Sequence, residues 1–198
     1  MTSNILEEMI TPAESLVDFI GLRIHMDNEL KFAIESMIKT EQLKSSHLLL
    51  KEGAKPRRMF FIEKGSARTF YYHDGKDVTS WMYREGQLMT SWSGFYTQTP
   101  SHENLELLED STIVSLSFED LQQLYDKFSK MQEFGRSLAE DQLVFLDYFY
   151  RGFSFMTARE KYDLLISMFP EVSRRVNLGH IASFLGISRE TLSRIRSV

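Results

Sequence analysis

The stretch 177–198 constrains the fold of this chain most, because its small and apolar residues recur at the spacing of two short helices joined by a tight turn. A small residue, Ala182, stands where two such helices would cross. Gly186 allows the positive φ that ends a helix, and Ser188 can cap the next helix by accepting a backbone N–H. The pattern predicts a helix-turn-helix whose second helix begins near Arg189.

The second helix of this motif has one apolar and one polar face. Leu192 and Ile195 lie three residues apart and are predicted to share the buried face. The side chains predicted to point outwards are polar: Ser188, Arg189, Glu190, Ser193, Arg194 and Arg196. Arginine can donate to guanine and glutamate can accept from cytosine, so this face suits the major groove of DNA. The alternatives are a solvated helix surface and a protein-binding module.

The run from Ile181 to Ile195 resembles the recognition motif of Crp/Fnr-type transcription regulators, and its most specific part is Ser188-Arg189-Glu190-Thr191. The resemblance implies a homodimer that binds a palindromic site in double-stranded DNA, with RNA polymerase as a further candidate partner. Members of that family usually continue into a β-hairpin wing, whereas this sequence ends three residues after Ile195. We therefore expect a winged-helix-like helix-turn-helix that lacks a full wing.

Composition limits the other classes. The chain has 198 residues, 42% hydrophobic, and no cysteine, which excludes disulfides and cysteine-bound iron–sulfur clusters. The net charge is −5, yet residues 157–198 carry seven Lys/Arg against four Asp/Glu, which gives +3 there and leaves −8 elsewhere. A basic end on an acidic body is typical of a DNA-binding protein with a separate sensor.

No apolar stretch is long enough to span a bilayer and the first residues are acidic, so we expect a cytoplasmic protein without a membrane partner.

The first part of the chain changes character near residue 44. Residues 1–44 have helical spacing, with Ile5 and Met9 among the apolar positions. From His47 to Phe118, short β-like runs alternate with glycines, and Asp74-Gly75 is a hairpin signal. Six or more strands at this spacing predict a sandwich or β-roll.

The order of motifs in this half resembles the cyclic-nucleotide-binding-like β-roll (jelly roll) that is the sensor of Crp/Fnr proteins. The motifs are Phe61-Ile62-x-x-Gly65, the Asp-Gly hairpin and Glu85-Gly86. The resulting α+β architecture has three parts: a sensor with N-terminal helices over 1–118, a dimerisation helix over 119–152 and a DNA-binding domain over 153–198.

The segment 119–152 is broadly apolar, contains no proline, and predicts one helix of more than thirty residues. The resemblance implies that such a helix is the two-fold dimer seam. The residues predicted for the seam are apolar and spaced along one helix: Met131, Phe134, Leu138, Phe145 and Phe149. A buried helix of a monomer is the alternative.

The DNA-binding part opens at Thr157 with a capping box that pairs it with Glu160. Arg174 and Arg175 precede the helix-turn-helix motif. They either contact phosphates beside the groove or are simply solvated.

The sensor departs from the family where cyclic nucleotides bind. The family's Gly-Glu is replaced by Thr90-Ser91, and a carboxylate, Glu103, stands near the position of the arginine that neutralises the phosphate. We therefore do not expect cyclic AMP or cyclic GMP. Another effector is conceivable, because the segment is rich in hydroxyls and aromatics. Its candidate residues are Ser91, Trp92, Ser93, Tyr96, Thr97, His102, Glu103 and Asn104. The alternative is a loop that packs on the barrel and binds nothing.

Other chemistries have little support. The five histidines show no paired spacing, so we expect no metal site, no haem and no resident cofactor, while an unknown small-molecule effector stays open. No nucleophile–base pair indicates an enzyme. The alternative to a DNA-binding regulator is a small-molecule-binding β-roll protein that acts on a protein partner without binding DNA.

Overall fold

The computed structural model describes residues 13–153 and 155–197. The helical spacing predicted around Ile5 and Met9 lies outside the described residues. The architecture is mixed α+β, with two antiparallel sheets and helices on both sides of them in the sequence. The predicted fold class is therefore confirmed.

Two short helices precede the sheets, and a side chain caps each one. Helix α1 (Leu16–Gly21) begins after Ser15, which accepts a hydrogen bond from the Asp18 backbone N–H. Helix α2 (Asn28–Met37) begins after Asp27, which accepts from the Leu30 N–H. Both helices bury their apolar sides in the core shared with the first sheet.

The two four-stranded antiparallel sheets form a jelly-roll-like body. The strand order is β1-β8-β3-β6 in one sheet and β2-β7-β4-β5 in the other. The strands are β1 (Lys39–Leu43), β2 (Leu48–Leu50), β3 (Arg58–Lys64), β4 (Ala67–His73), β5 (Lys76–Tyr83), β6 (Leu88–Met89), β7 (Asn104–Leu107) and β8 (Ser111–Ser117). Asp74 and Gly75 both have positive φ, 50° and 74°, as a type I′ hairpin between β4 and β5 requires. The hairpin predicted from Asp-Gly is confirmed.

Strand β1 corrects the sequence prediction, which continued the helical region to residue 44. Lys39–Leu43 pairs with β8 as an edge strand, and its side chains are mostly exposed or half-buried. A polar edge strand lacks the apolar alternation that identifies a strand in a sequence. Its pairing partner is more than 70 residues away, as the Lys39 to Ser115 register shows.

The long helix predicted for 119–152 is also wrong as a single element. Helix α3 (Trp92–Thr97) lies between β6 and β7 in the sequence. Helices α4 (Phe118–Lys127) and α5 (Ser129–Phe153) follow β8. Phe128 separates α4 from α5 in an extended conformation, with φ −125° and ψ 110°. The bend lets both helices bury apolar residues in the same core.

The C-terminal part contains helices α6 (Ala158–Met168), α7 (Val172–Arg175), α8 (Leu178–Leu185) and α9 (Arg189–Arg196). The capping box predicted between Thr157 and Glu160 is present at the start of α6. The core of these helices extends to Met82 on β5, with Trp81 packed against it. The C-terminal helices therefore share a core with the second sheet. Among the helices of the described part of the chain, none is both long and apolar enough to cross a membrane.

Candidate functional site

Helices α8 and α9 form the two arms of the predicted motif, and the turn between them begins at a glycine. Gly186 has φ 68°, and the N–H of Ile187 returns a 3.0 Å hydrogen bond to the carbonyl of Ala182. Ser188 accepts from the Thr191 N–H at 3.1 Å and so caps α9. The turn therefore ends one helix and starts the next by the local interactions that the sequence predicts.

Most apolar residues between the two helices of the motif are buried, whereas Ile187 and Ile195 are half-buried. Ile181 and Leu192 are at most 1% exposed, and Ala182 lies between them at 3%. Every residue predicted for the outward face of α9 is exposed: Ser188, Arg189, Glu190, Ser193, Arg194 and Arg196. The side chains with hydrogen-bond donors and acceptors thus share one accessible surface.

The charges on this surface are held in place locally. A Cβ at Gly179 would clash with the guanidinium of Arg189, so this side chain packs over the first turn of α8. Arg194 donates to the Thr191 hydroxyl at 3.3 Å. The backbone N–H and the Ser188 hydroxyl, together with Arg189 and Arg194, lower the pKa of the Glu190 carboxyl, which keeps it ionised at neutral pH.

The two arginines before the motif have different environments. Arg174 is largely exposed and pairs with Glu171 at 2.6 Å. Arg175 contacts Glu85 at 2.6 Å and Glu109 at 2.5 Å, and its side chain is only 18% exposed. Arg175 is thus neither solvated nor free to contact a phosphate in this conformation, whereas Arg174 is accessible.

Two further polar contacts fix the C-terminal helices on the β-roll. The Ser183 hydroxyl on α8 accepts from the Thr79 N–H at 3.0 Å and donates to the Asp77 carbonyl at 3.2 Å. Arg84 donates from Nε to the Met168 carbonyl at 2.9 Å. Strand β5 lies at the edge of its sheet, so its outer backbone groups are available for the two bonds with Ser183.

An aromatic cluster lies beside these polar contacts. The Trp81 ring on β5 meets the rings of Phe145, Phe149 and Phe184 edge to face, with centroids 5.0, 5.1 and 5.4 Å away. This geometry is a favoured one for aromatic pairs. Trp81 therefore connects the sheet to α5 and to α8.

Three of the five residues predicted for a dimer seam are buried inside the protomer. Met131, Phe134 and Leu138 are between 0 and 2% exposed, in the core that α5 shares with α1 and the first sheet. Phe145 and Phe149 face Trp81. This corrects the assignment of Met131, Phe134 and Leu138, because buried side chains cannot contact a second copy. Phe145 and Phe149 are only half-buried, and their place in a seam stays a prediction. Helical spacing alone does not show which face of a broadly apolar helix the neighbouring sheet covers.

The second half of α5 leaves another apolar face uncovered. Leu143, Val144 and Leu146 are 69%, 47% and 59% exposed. Leu143 and Leu146 lie three residues apart and are therefore neighbours on the helix surface, with Val144 to one side of Leu143. A buried interface of α5 with a second copy would use this face.

A cavity of about 320 Å³ lies where the β-roll, α5 and the C-terminal helices meet. Trp81 and Glu103 line it from the β-roll, and Phe149, Leu165 and Phe184 from the helices. This volume is at the lower end of the range of small-molecule sites, which are typically apolar with a few polar groups. The cavity is therefore a candidate effector site.

The structure divides the predicted effector residues into two groups. Trp92 and Glu103 line the cavity, and the buried Ser91 hydrogen-bonds to Glu103. The other five lie elsewhere: Ser93, Tyr96, Thr97 and His102 are exposed, and Asn104 is buried and bonds to the Glu52 N–H. None of these five lines the cavity. Ser93, Tyr96 and Thr97 lie on the outer side of α3, whereas His102 and Asn104 belong to the segment that leads into β7.

Most of the cavity wall was not predicted from the sequence. Arg23, Trp81, Arg84, Asp141 and Phe184 come from segments that are far apart in the chain. Patterns within one segment give no signal for such an assembly. The Glu85-Gly86 turn was the only nearby motif that the sequence analysis used.

Glu103 is the acceptor at the polar corner of the cavity. Its Oε2 accepts from the Ser80 hydroxyl at 3.2 Å. Burial raises the pKa of the Glu103 carboxyl, and the hydroxyls of Ser80 and Ser91 offset part of that increase. Within the described residues, no ion pair involves Glu103. At this corner of the cavity a phosphate would meet a carboxylate.

In residues 13–153 and 155–197, no group of three His, Cys, Asp or Glu side chains is arranged to hold a metal ion. Metal chemistry therefore has no candidate site in that part of the chain.

Comparisons with known proteins agree with this architecture. Residues 40–128, which cover most of the β-roll and α4, match the family model described as the cyclic nucleotide-binding domain. A comparison with curated proteins gave no match.

Solved structures share the fold over most of the chain. The catabolite activator protein of Thermus thermophilus has a TM-score of 0.58 and 19% identity, with 90% of this chain and 85% of that chain covered. A CooA mutant from Carboxydothermus hydrogenoformans has a TM-score of 0.64 and 15% identity, with coverage of 95% and 85%. A putative Crp/Fnr-family regulator from Eubacterium rectale has a TM-score of 0.65 and 14% identity, with coverage of 86% and 82%. The likeness shows a fold that transcription regulators use.

Proposed function

We propose that this protein is a cytoplasmic, sequence-specific DNA-binding transcription regulator of Crp/Fnr type. The observation that carries the proposal is the division of α9, in which Leu192 is 1% exposed while the residues of the opposite face are exposed and polar. A helix that enters the major groove needs an apolar back and a front of hydrogen-bonding side chains. The likeness of the fold to solved transcription regulators supports the same conclusion.

Each side chain on the front of α9 has a chemical role in this proposal. Arg189 and Arg194 can each donate two hydrogen bonds to the O6 and N7 atoms of guanine, and Glu190 can accept from the cytosine N4 amine. Ser188, Ser193 and Arg196 can bind phosphates or base edges at the rim. Arg174 is exposed and can reach a phosphate from outside the helix, whereas Arg175 is occupied by Glu85 and Glu109.

The active form is a homodimer that uses the exposed apolar face of α5. Leu143, Val144 and Leu146 need cover, and a second copy of the chain supplies an identical face around a two-fold axis. Two copies of α9 then read two half-sites about one DNA turn apart, roughly 34 Å, which predicts a palindromic operator. RNA polymerase is the partner through which a regulator bound there would act on transcription.

The test is selection of bound duplexes from a random DNA pool with the purified protein. We expect a palindrome to be enriched by the wild-type protein and the Arg194→Ala variant to lose about 1–3 kcal/mol on it, with relaxed preference at one base position. Arg57→Ala is the matched control, because Arg57 is an exposed arginine on the β-roll, away from α9. No enrichment with any variant would contradict the proposal.

One observation favours a second candidate, a small-molecule-binding protein that acts on a protein partner. The cavity between the β-roll and the C-terminal helices is large enough for a ligand whether or not α9 contacts DNA. A ligand that raises the melting temperature of a protein with no DNA sequence preference would favour this candidate.

A further inference from the structure

The cavity has a polar corner and an aromatic wall, and a β-bulge brings them together. Thr69 pairs with Trp81 and Phe70 pairs with Thr79, which leaves Ser80 as the extra residue of β5. Consecutive residues of a regular strand point to opposite faces, but Ser80 and Trp81 both line the cavity. The hydroxyl that binds Glu103 and the ring that meets Phe145 and Phe149 therefore share one space.

Two of the side chains that line the cavity are cationic, Arg23 and Arg84. Arg23 pairs with Asp141 at 3.1 Å and lies over the Phe19 ring, 4.1 Å from its centroid. Arg84 donates to the Met168 carbonyl. Both cations are thus held at the wall by other groups.

Glu103 is bound only by hydroxyls. Ser80 and Ser91 donate to its carboxylate, and within the described part of the chain no basic side chain forms an ion pair with it. A buried carboxylate is costly unless a charged or hydrogen-bonding partner compensates for the loss of water. The corner of the cavity around Glu103 is therefore locally negative.

The aromatic side chains supply the complementary half of a site. Trp81 and Trp92 line the cavity together with Phe145 and Phe149. Aromatic faces attract organic cations and pack against apolar groups, and tryptophan is the strongest of them. An anion would instead meet the carboxylate and the negative faces of the rings.

We propose that this cavity binds a small organic ammonium compound with an apolar or aromatic body. The ammonium donates to the Glu103 carboxylate, and the body packs against Trp81, Phe145 and Phe149. Such a ligand contacts the β-roll, α5 and the C-terminal helices at once, because all three line the cavity. The site does not depend on DNA binding, so it goes beyond the proposed function.

Intrinsic fluorescence gives a direct assay, because the chain contains two tryptophans and both line the cavity. The full-length protein is titrated at pH 7 with 2-phenylethylammonium, with the neutral 2-phenylethanol and with the anionic phenylacetate. Cyclic AMP is a fourth probe. We expect the ammonium to bind about tenfold tighter than the alcohol, since a charge-assisted hydrogen bond is roughly twice as strong as a neutral one. Phenylacetate and cyclic AMP should give no saturable change.

The Glu103→Gln variant tests the role of the carboxylate, since the amide oxygen can still accept from Ser80 and Ser91. We expect this variant to bind 2-phenylethylammonium about tenfold more weakly and 2-phenylethanol unchanged, which also shows that the cavity is intact. Glu35→Gln is the matched control, because Glu35 is exposed on α2 outside the cavity.

Three results would overturn the inference. They are equal affinity of the wild-type protein for ammonium and alcohol, tighter binding of phenylacetate or cyclic AMP, and no fluorescence change with any probe. None of them bears on DNA selection, so this inference and the proposed function fail independently.

Discussion

The helix-turn-helix and the cavity differ in how their residues are distributed along the chain. All residues of the motif lie between 177 and 197, and its turn and caps join residues that are a few positions apart. The cavity draws residues from α1, from β5, from α5 and from the C-terminal helices, between Phe19 and Phe184. The first site is a local structure, and the second exists only when the whole chain is folded.

This difference determines how strongly a substitution in each region should affect stability. The turn of the motif depends on backbone geometry at Gly186 and on one cap at Ser188, so its parts are separable. The cavity depends on packing between distant elements and on ion pairs that hold those elements together. Changes in the core should therefore have large effects, and changes in the turn should have smaller ones.

The largest expected effect is on the core beneath α5. Phe134→Ala should lower the free energy of unfolding by about 3–5 kcal/mol, because the ring is 1% exposed and packs against Phe19 at 6.3 Å. Urea unfolding at fixed protein concentration measures the change. Leu143→Ala is the control, with an exposed side chain and an expected loss below about 1 kcal/mol in the monomer.

The order of the two effects should be reversed for dimerisation, which Leu143→Ala should weaken more than Phe134→Ala does. Sedimentation equilibrium should show weaker dimers for Leu143→Ala and unchanged dimers for folded Phe134→Ala. If Phe134→Ala dissociated the dimer without lowering stability, the seam predicted from the sequence would be right after all.

The sequence predicted the local features of the fold and of the site. The Asp74-Gly75 hairpin, the Thr157 capping box and the turn at Gly186 each depend on residues within four positions of one another. Burial was predicted less well, because Phe134 and Leu143 look alike in a helical pattern. Only the neighbouring sheet and α1 decide which of them is covered.

The cavity shows the same limit. Glu103 was noted as a carboxylate near the expected place of a cation, and Trp92 as a candidate ligand-binding residue. Ser80 and Phe184, which also line the cavity, are not predictable in this way, because a bulge in β5 and the docking of α8 bring them there. An internal site of this kind is a property of tertiary packing.

The ion pairs between the C-terminal helices and the β-roll should give the next largest effect on stability. Arg175→Ala removes the ion pairs with Glu85 and Glu109 and should cost about 1–2 kcal/mol, because all three side chains are partly buried. Arg174→Ala is the control, with an exposed pair to Glu171 and an expected change below about 0.5 kcal/mol. Equal losses would mean that the Arg175 pairs do not stabilise the contact.

The loss for Arg175→Ala should depend on pH. Burial alone would raise the pKa of the Glu85 carboxyl, but the bonds from Arg175 and the Gly65 N–H outweigh it and lower the pKa below its ordinary value of 4.5. The stabilisation is therefore present above pH 4.5 and is lost as the pH falls through the folded-state pKa. Urea unfolding at pH 7 and at a pH well below 4.5 measures this. The free energies of unfolding of the wild-type protein and of Arg175→Ala should differ less at the lower pH.

An effect of similar size is expected at the turn. Gly186→Ala should cost about 1–2 kcal/mol, because φ is 68° and no other atom crowds the site. Gly75→Ala is a matched control in the β4–β5 hairpin, also with positive φ and open space. Both variants should lose similar stability by thermal unfolding, while DNA affinity should fall only for Gly186→Ala. A fall in DNA affinity for both variants would mean that the loss does not come from the geometry of the motif.

The smallest effect should have the opposite sign. Burial raises the pKa of the Glu103 carboxyl, so the folded protein binds a proton more tightly than the unfolded chain, and stability falls as the pH rises from 4.5 through the folded-state pKa. Glu103→Gln should therefore be slightly more stable than the wild-type protein at pH 7 and no more stable near pH 4. Thermal unfolding in the absence of ligand measures this. Lower stability at pH 7 would mean that the ionised carboxylate stabilises the fold.

The most direct test of the central claim is the affinity of the protein for its selected palindrome as the half-sites are moved apart. Insertion of five base pairs turns one half-site to the opposite side of the duplex, where a two-fold dimer cannot reach both. We predict a large loss of affinity with five added base pairs, measured by fluorescence anisotropy at fixed salt. Unchanged affinity would contradict a dimer that reads DNA through two copies of α9.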